Sequence, residues 1–308
     1  MNTHPLVSVV TQVYNTGREV VEAMESVRCS TFTDWEHIII DDASTDDSVD
    51  LIKAYCERHQ YPCTLVVHED NAGITATRRE IVSLARGKYI ATLSDDLFEP
   101  DRLEKDVAFL EGCSDDVCGV FGLALSFRSD RDVKGRVFGG HFDLGQAGVI
   151  DPSRFAKALL MCNVVPAVSM TMRSTWASNL PDLDHFLIED YPQWVHLSNL
   201  GGRFGHIPEV TTLYRDSDIS VQKTKKSKVA LDDLKSKAML LDSPFLDKRE
   251  VRIQLWRWFW SQQLVLSSKD KVASLRALRV SGANAGHAAR GLALYVRQFL
   301  RKHLGRRS

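Results

Sequence analysis

Between Leu6 and Leu110 the chain repeats one pattern four times: a short, continuous apolar run, then a segment with apolar residues at helical spacing. The runs Leu6–Thr11, Trp35–Ile40, Cys63–His68 and Lys88–Leu93 read as strands buried on both faces. Arg18–Cys29 reads as a helix with Val20, Val21, Met24 and Val27 on its inner side. Ser44-Thr45-Asp46-Asp47 caps a second helix that runs to Arg58. Ile74–Ala85 forms a third, stopped by Gly87, and Pro100 opens a fourth to Leu110. Strand and helix in strict alternation predict an α/β fold: a doubly wound, mostly parallel sheet with right-handed crossovers.

The alternation loosens after Val117. Gly119–Phe127 and Arg136–Phe142 read as strands paired in a hairpin, Pro152–Met161 as a short helix and Val168–Met172 as a strand. Glu189–Leu200 reads as a helix, and Phe204–Tyr214 as a strand after the Gly201-Gly202 turn. The polar, basic stretch Ser217–Lys228 is the expected linker, and everything beyond it is expected to be helical. The predicted division is a catalytic domain over 1–217 and a helical C-terminal extension over 218–308. Within the extension Gln254–Leu266 is apolar nearly all round. The last helix, Ala285–His303, has Arg290, Arg297 and Arg301 on one side and Leu292, Val296 and Phe299 opposite.

Composition changes this picture in three places. With 44% hydrophobic residues the chain can bury a sizeable core, yet no apolar run approaches the ~20 residues of a membrane span. The net charge of -1 hides an uneven distribution, because no acid follows Asp270 while Lys271, Arg276, Arg279, Arg290, Arg297, Arg301, Lys302, Arg306 and Arg307 do. A basic tail on an acidic body points to an anionic lipid or a nucleic acid as its partner. Six cysteines are scattered without zinc spacing, which fits reduced thiols. No signal peptide precedes the first strand, so a cytoplasmic location is expected.

Two strands end in paired acids, Asp41-Asp42 and Asp95-Asp96. The C-terminal edge of an open α/β sheet is where such folds bind ligands, and hard carboxylates there suit a divalent cation carrying a phosphorylated substrate. From the residues alone a solvated turn explains each pair equally well.

Five blocks in order then carry a resemblance. They are Leu6–Asn15, Ile38–Ser48 (IIIDDASTDDS), Asn71-Ala72-Gly73 with Arg78 and Ala85–Ile90, Ser94-Asp95-Asp96 with Pro100–Leu103, and Glu189-Asp190-Tyr191 with Tyr214-Arg215. Together they resemble family-2 glycosyltransferases of the GT-A fold, over residues 5 to 216, and are similar to the bacterial enzymes that build O-antigen and capsule polysaccharides. The resemblance implies inverting transfer of one sugar at a time from a nucleotide diphosphate sugar, a UDP-sugar foremost, to a glycan or lipid-linked glycan. It implies Mg²⁺ or Mn²⁺ held by Asp96, with Asp95 on the ribose or donor sugar. It implies Asp42 hydrogen-bonded to the base, Tyr14 stacked on it, and Arg78 on the phosphates. Asp190 would be the general base, with adjacent Glu189 its rival or a substrate contact. On this reading the basic tail meets an anionic membrane surface rather than nucleic acid, and the enzyme sits peripherally on the inner face of the cytoplasmic membrane.

Two departures qualify the resemblance. Many family members place a histidine shortly after the position of Arg215, whereas this chain reads Asp216-Ser217-Asp218-Ile219-Ser220. The glutamine/arginine-rich tryptophan motif of processive synthases is not evident, which disfavours a processive polymerase. Two rival functions remain at this stage. A nucleotidyltransferase would carry a Gly-rich loop after the first strand, where Tyr14-Asn15-Thr16-Gly17-Arg18 stands instead. A non-catalytic nucleotide-sugar or glycan-binding protein would have no need of acids at both 96 and 190.

Overall fold

The computed structural model describes residues 4–128, 135–140, 144, 146–217 and 221–304, with side chains described up to Phe299 except at 221 and 222. The chain divides into two compact units. The first comprises residues up to Ile150 together with Val164–Asp184 and Gly202–Ser217; the second comprises Asp151–Asn163, His185–Gly201 and everything from Asp218. The chain therefore passes from one to the other at 217/218, and two earlier segments, 151–163 and 185–201, group with the C-terminal helices.

The first unit is built on one sheet. Its strands are β1 (Val7–Val13), β2 (Trp35–Asp41), β3 (Cys63–Val67), β4 (Tyr89–Leu93), β5 (Leu97–Phe98), β6 (Val117–Phe127), β7 (Val137–Phe138), β8 (Gly148–Val149), β9 (Met170–Arg173) and β10 (Arg203–Arg215). The spatial order is β3-β2-β1-β4-β9-β6-β10-β5, with β7 added beside β6 and β8 beside β10. β1 runs parallel to β2 and β4, β2 to β3, and β6 to β10; β9 is antiparallel to both β4 and β6. Helices α1 (Arg18–Arg28), α2 (Ser48–His59), α3 (Ile74–Leu84) and α4 (Arg102–Glu111) make the crossovers. Val7, Val9, Val13, Ile39, Ala91 and Leu93 from the strands pack with Val20, Met24, Val27 and Leu103 from the helices in one core. That is why β1 and β2 read as unbroken apolar runs: both faces are covered.

Three local features differ from the sequence reading. β5 is only two residues long, too short for any periodic signal, yet it pairs antiparallel with Thr212-Leu213. The expected strand 136–142 is found as Val137–Phe138, hairpinned on β6 as foreseen, while 141–143 lie outside the described residues. The expected linker 217–228 is helical over Val221–Thr224 and again from Lys226, since its lysines are good helix formers.

The second unit is helical. It holds α5 (Pro152–Met161), α7 (Asp190–Asn199), α8 (Val221–Thr224), α9 (Lys226–Met239), α10 (Lys248–Ser261), α11 (Ser268–Val280) and α12 (Ala285–Leu304); the short α6 (Ser174–Ala177) belongs to the sheet unit. Asp151, Asp247 and Ser267 cap α5, α10 and α11 through their side chains. α12 packs on α10 at Gly291, where a Cβ would stand 2.7 Å from the Arg257 amide nitrogen and 2.8 Å from Trp256 Cβ. Only a residue without a side chain allows the two helix backbones to come that close.

Candidate active site

Because β1, β2 and β4 are parallel and in register, their C-terminal ends share one edge. The loop after β1 and the loop after β2 are knitted together there. The Asn15 amide donates to Ser44 Oγ at 2.8 Å, the Thr45 amide to Asn15 Oδ1 at 2.8 Å, and the Gly17 amide to Ser48 Oγ at 2.8 Å. Both loops hold non-glycine residues at positive φ, Asn15 at 52° and Ala43 at 63°. Such backbone strain persists where surrounding bonds over-determine it, and it clusters at ligand sites. Tyr14 projects from this edge and is 54% exposed, so it is not a buried strand-end residue.

Asp42 is buried and its carboxylate is closely held. Oδ1 accepts from His68 Nδ1 and from the Ala72 amide, both at 2.8 Å, and Oδ2 accepts from the Gly73 amide at 2.9 Å. Burial alone would raise its pKa; the bonds from His68, Ala72 and Gly73 override that and keep it below the usual carboxylate range. The turn Asn71-Ala72-Gly73, with Gly73 at φ 86°, thus supplies two amides to a carboxylate. On α3, Arg78 Nη2 donates to the Pro181 carbonyl at 3.2 Å, while Arg79 pairs with Asp182 at 3.0 Å.

The second acid pair follows β4. Asp96 is buried and Asp95 partly so. Burial first, and the neighbouring Asp95 charge second, push the Asp96 carboxyl up to about 8, against the opposing pull of Arg215 and Arg102. Arg215, the last residue of β10, ties this turn together: its amide donates to Asp96 Oδ1 at 2.7 Å, its Nε to the Asp95 carbonyl at 2.7 Å, and its Nη2 to Glu22 at 2.8 Å. Arg102, wholly buried, donates to the Val168 and Met170 carbonyls and to Thr212 Oγ1, and lies 3.8 Å over the Phe98 ring. Sequence reasoning quoted Arg215 and Arg102 only as parts of motifs. Their positioning work was out of reach because β10 joins β5 across more than a hundred residues of chain.

Glu189 and Asp190 belong to the helical unit, at the N-terminus of α7. Glu189 is buried in the N-cap position. Asp190 accepts from the Tyr191 amide through Oδ1 at 2.7 Å and from Asn163 Nδ2 through Oδ2 at 2.8 Å. Burial raises its pKa to about 6, with those two bonds pulling down and the Glu189 charge pushing up. Beneath it the Tyr191 hydroxyl donates to the Leu159 carbonyl, and Lys237 Nζ donates to the Met161 carbonyl at 2.8 Å and to the Tyr191 oxygen at 2.9 Å. Lys237 is itself buried, which depresses it to about 8. The segment 218–220, where the family's usual histidine is looked for, lies outside the described residues.

Residues 8–135 match the family described as Glycosyl transferase family 2. Over that stretch the chain is similar to glycosyltransferase family 2. Among family relatives, the putative glycosyltransferase EpsE of Bacillus subtilis (strain 168) is 40% identical over 112 residues, which are 36% of this chain and 40% of that one. The chain thus spans less than half the length of the curated relatives it matches. Two solved structures share the fold at low identity. Staphylococcus aureus TarS 1–349 in complex with UDP-GlcNAc superposes with a TM-score of 0.69 at 14% identity, over 92% of this chain and 83% of that one. The mannosyltransferase PcManGT of Pyrobaculum calidifontis, in complex with GDP-Man and Mn²⁺, gives 0.60 at 15% identity, over 98% and 89%. The α/β, mostly parallel sheet followed by C-terminal helices is the GT-A architecture expected from the sequence.

Proposed function

We propose that this chain is a family-2, inverting, metal-dependent, non-processive glycosyltransferase that moves a sugar from a UDP-sugar to a glycan or lipid-linked glycan. The observation that carries the reading is the buried Asp96 beside Asp95 at the ligand edge, its carboxyl raised to about 8. Burial and the Asp95 charge disfavour the ionised form of Asp96, and a positive charge beside it would restore that form, so the donor set fits a hard divalent cation. Among the described residues no three His, Cys, Asp or Glu side chains gather for a metal. The remaining ligands would come from a diphosphate and water, the usual arrangement for Mg²⁺. Bound there, Mg²⁺ or Mn²⁺ would neutralise charge on the departing diphosphate. TarS with UDP-GlcNAc and PcManGT with GDP-Man and Mn²⁺ support both halves of this reading by their fold.

In this scheme Asp42, fixed by three donors, has about one acceptor direction left for a base N–H. Tyr14 offers an exposed ring for stacking, while Asp95 would contact the ribose or sugar and Arg78 would reach the phosphates. Asp190 takes the proton from the acceptor hydroxyl, with Glu189 beside it as a substrate contact.

The acceptor side draws on the last helix. No helix among the described residues is long and apolar enough to cross a membrane. On α12 the side docked on α10 is that of Gly291, while Leu292, Val296 and Phe299 remain exposed. At ~100° per residue those three fall within ~60° of one another and Arg290 and Arg297 lie well round the helix from them. Such a helix suits the interface of an anionic membrane, which is where a lipid-linked acceptor would be met. The side chain of Arg301 lies outside the described residues.

The deciding assay measures nucleotide release from a panel of nucleotide sugars, with and without a lipid-linked glycan acceptor, in Mn²⁺ and in EDTA. Acceptor-stimulated, EDTA-sensitive UDP release is expected. Release of pyrophosphate would mark a nucleotidyltransferase, and binding without release would mark a non-catalytic protein.

A further inference from the structure

His68 has no part in the reaction described above, and its sequence context gave no sign of one. It directly follows β3, and its amide donates to the Asp41 carbonyl at 2.9 Å, which continues the β2–β3 register by one residue. That register sets the ring between two carboxylates: Nδ1 lies 2.8 Å from Asp42 Oδ1, and Nε2 lies 2.9 Å from Glu80 Oε2 on α3. A neutral imidazole has one N–H and one lone pair, so it would turn the lone pair towards an acceptor-only oxygen. Two acceptors therefore call for two donors, which is the imidazolium. The ring is 14% exposed, a half-sheltered place in which a charge-assisted bond is worth more than at the surface.

We propose that His68 is a positioning residue for the donor base: as an imidazolium it clamps Asp42 to Glu80, and so orients the carboxylate that receives the base. This rests on the reading of Asp42 as the base contact. The clamp joins the loop after β2 to α3, the helix that also carries Arg78, so base and phosphate contacts are tied into one frame. The charged groups acting on the ring are Asp42 and Glu80, and their bonds raise its pKa, the one to Asp42 most, against burial. On the same helix Arg78 donates to the Pro181 carbonyl and Arg79 pairs with Asp182 and Asp184. The two carboxylates on its nitrogens call for the charged ring, and the clamp weakens as pH rises through the raised value.

The test has three arms on the full chain. First, ¹⁵N NMR of the His68 ring at pH 7 should show protons on both nitrogens; a neutral tautomer would overturn the proposal whatever the variants do. Second, calorimetry with UDP should show wild-type affinity falling about tenfold from neutral to alkaline pH, the worth of one charge-assisted bond. His68→Gln, which keeps one donor, should bind UDP about tenfold more weakly at pH 7 with a flat profile over that range. Unchanged affinity and an unchanged profile in that variant would overturn the proposal. Third, Asp42→Asn separates the two readings. If it leaves UDP affinity intact, or if wild type binds no UDP, then Asp42 is not the base contact and both readings fall. If it weakens binding while His68→Gln does not, only the clamp falls.

Discussion

The backbone amide of Arg215 donates to Asp96 Oδ1 at 2.7 Å, so the end of β10 holds the acid that ends the turn after β4. That bond is made by main chain, and it orients one carboxylate oxygen whatever side chain stands at 215. The charge on Asp96 is a separate matter, raised in energy by burial and by Asp95.

Asp96→Asn should therefore divide stability from function. The amide oxygen can still accept from Arg215, and a neutral amide replaces a carboxyl that burial already keeps largely neutral at pH 7. Thermal denaturation should show an unchanged or higher Tm. Calorimetry with UDP should show the Mn²⁺-dependent part of the affinity lost. A variant that binds UDP equally well with Mn²⁺ and with EDTA, as against a metal-stimulated wild type, confirms the expectation; retained stimulation removes Asp96 from the metal site.

Asp190→Asn should keep donor binding and lose transfer by about 10²–10⁴-fold, the ordinary worth of a general base. Since Asp190 titrates at about 6 and must be ionised to accept a proton, wild-type kcat/KM should rise with pH through about 6 and then level. Near-normal turnover in the variant would transfer the role to Glu189.

Acid should destabilise the sheet unit through His37. The ring is buried, with Nε2 2.9 Å from Thr11 Oγ1 and Nδ1 2.7 Å from the Tyr61 hydroxyl, and burial lowers its pKa to about 3. The unfolded chain binds that proton below ~6.5 and the folded one does not, so stability is lost as pH falls from ~6.5 towards 3, at up to ~1.4 kcal/mol per pH unit. Urea titrations at pH 7 and pH 5 should show the drop, reduced in His37→Gln.

Vesicle flotation tests the last helix. The full chain should float with anionic liposomes and detach at high salt, since each arginine near the surface adds about 1 kcal/mol of screened attraction. A chain ending near Gly282 should stay at the bottom. Gly291→Leu tests the seat on α10: it should dislodge α12, with the Tm falling. Equal flotation of the full and shortened chains, or none for either, sinks the membrane reading.

The fold was legible because strands covered on both faces leave unbroken apolar runs and their crossover helices leave a 3.6-residue rhythm. The acid pairs were legible for the same reason, since they stand where those runs stop. What stayed hidden depends on distance along the chain. Asn163 reaches Asp190 from the loop after α5, and Arg215 reaches Asp96 from the end of β10, more than a hundred residues along the chain. His68 looked like one histidine among ten until β3 was placed beside β2. The helix in the lysine-rich 217–228 stretch was concealed by its charge, which reads as a linker although lysine favours helix.

Helix α3 spends three consecutive residues on three separate tasks: Arg78 on Pro181, Arg79 on Asp182, and Glu80 on His68. Each task needs its own azimuth about the helix axis. Substituting one of them costs one link, but adding or deleting a single residue upstream of Arg78 turns all three by ~100° at once. Natural variants of this chain should therefore change residues freely along the outer face of α3 while keeping its length between Gly73 and Glu80 fixed, so that the helix works as a gauge of spacing as much as a wall of the core.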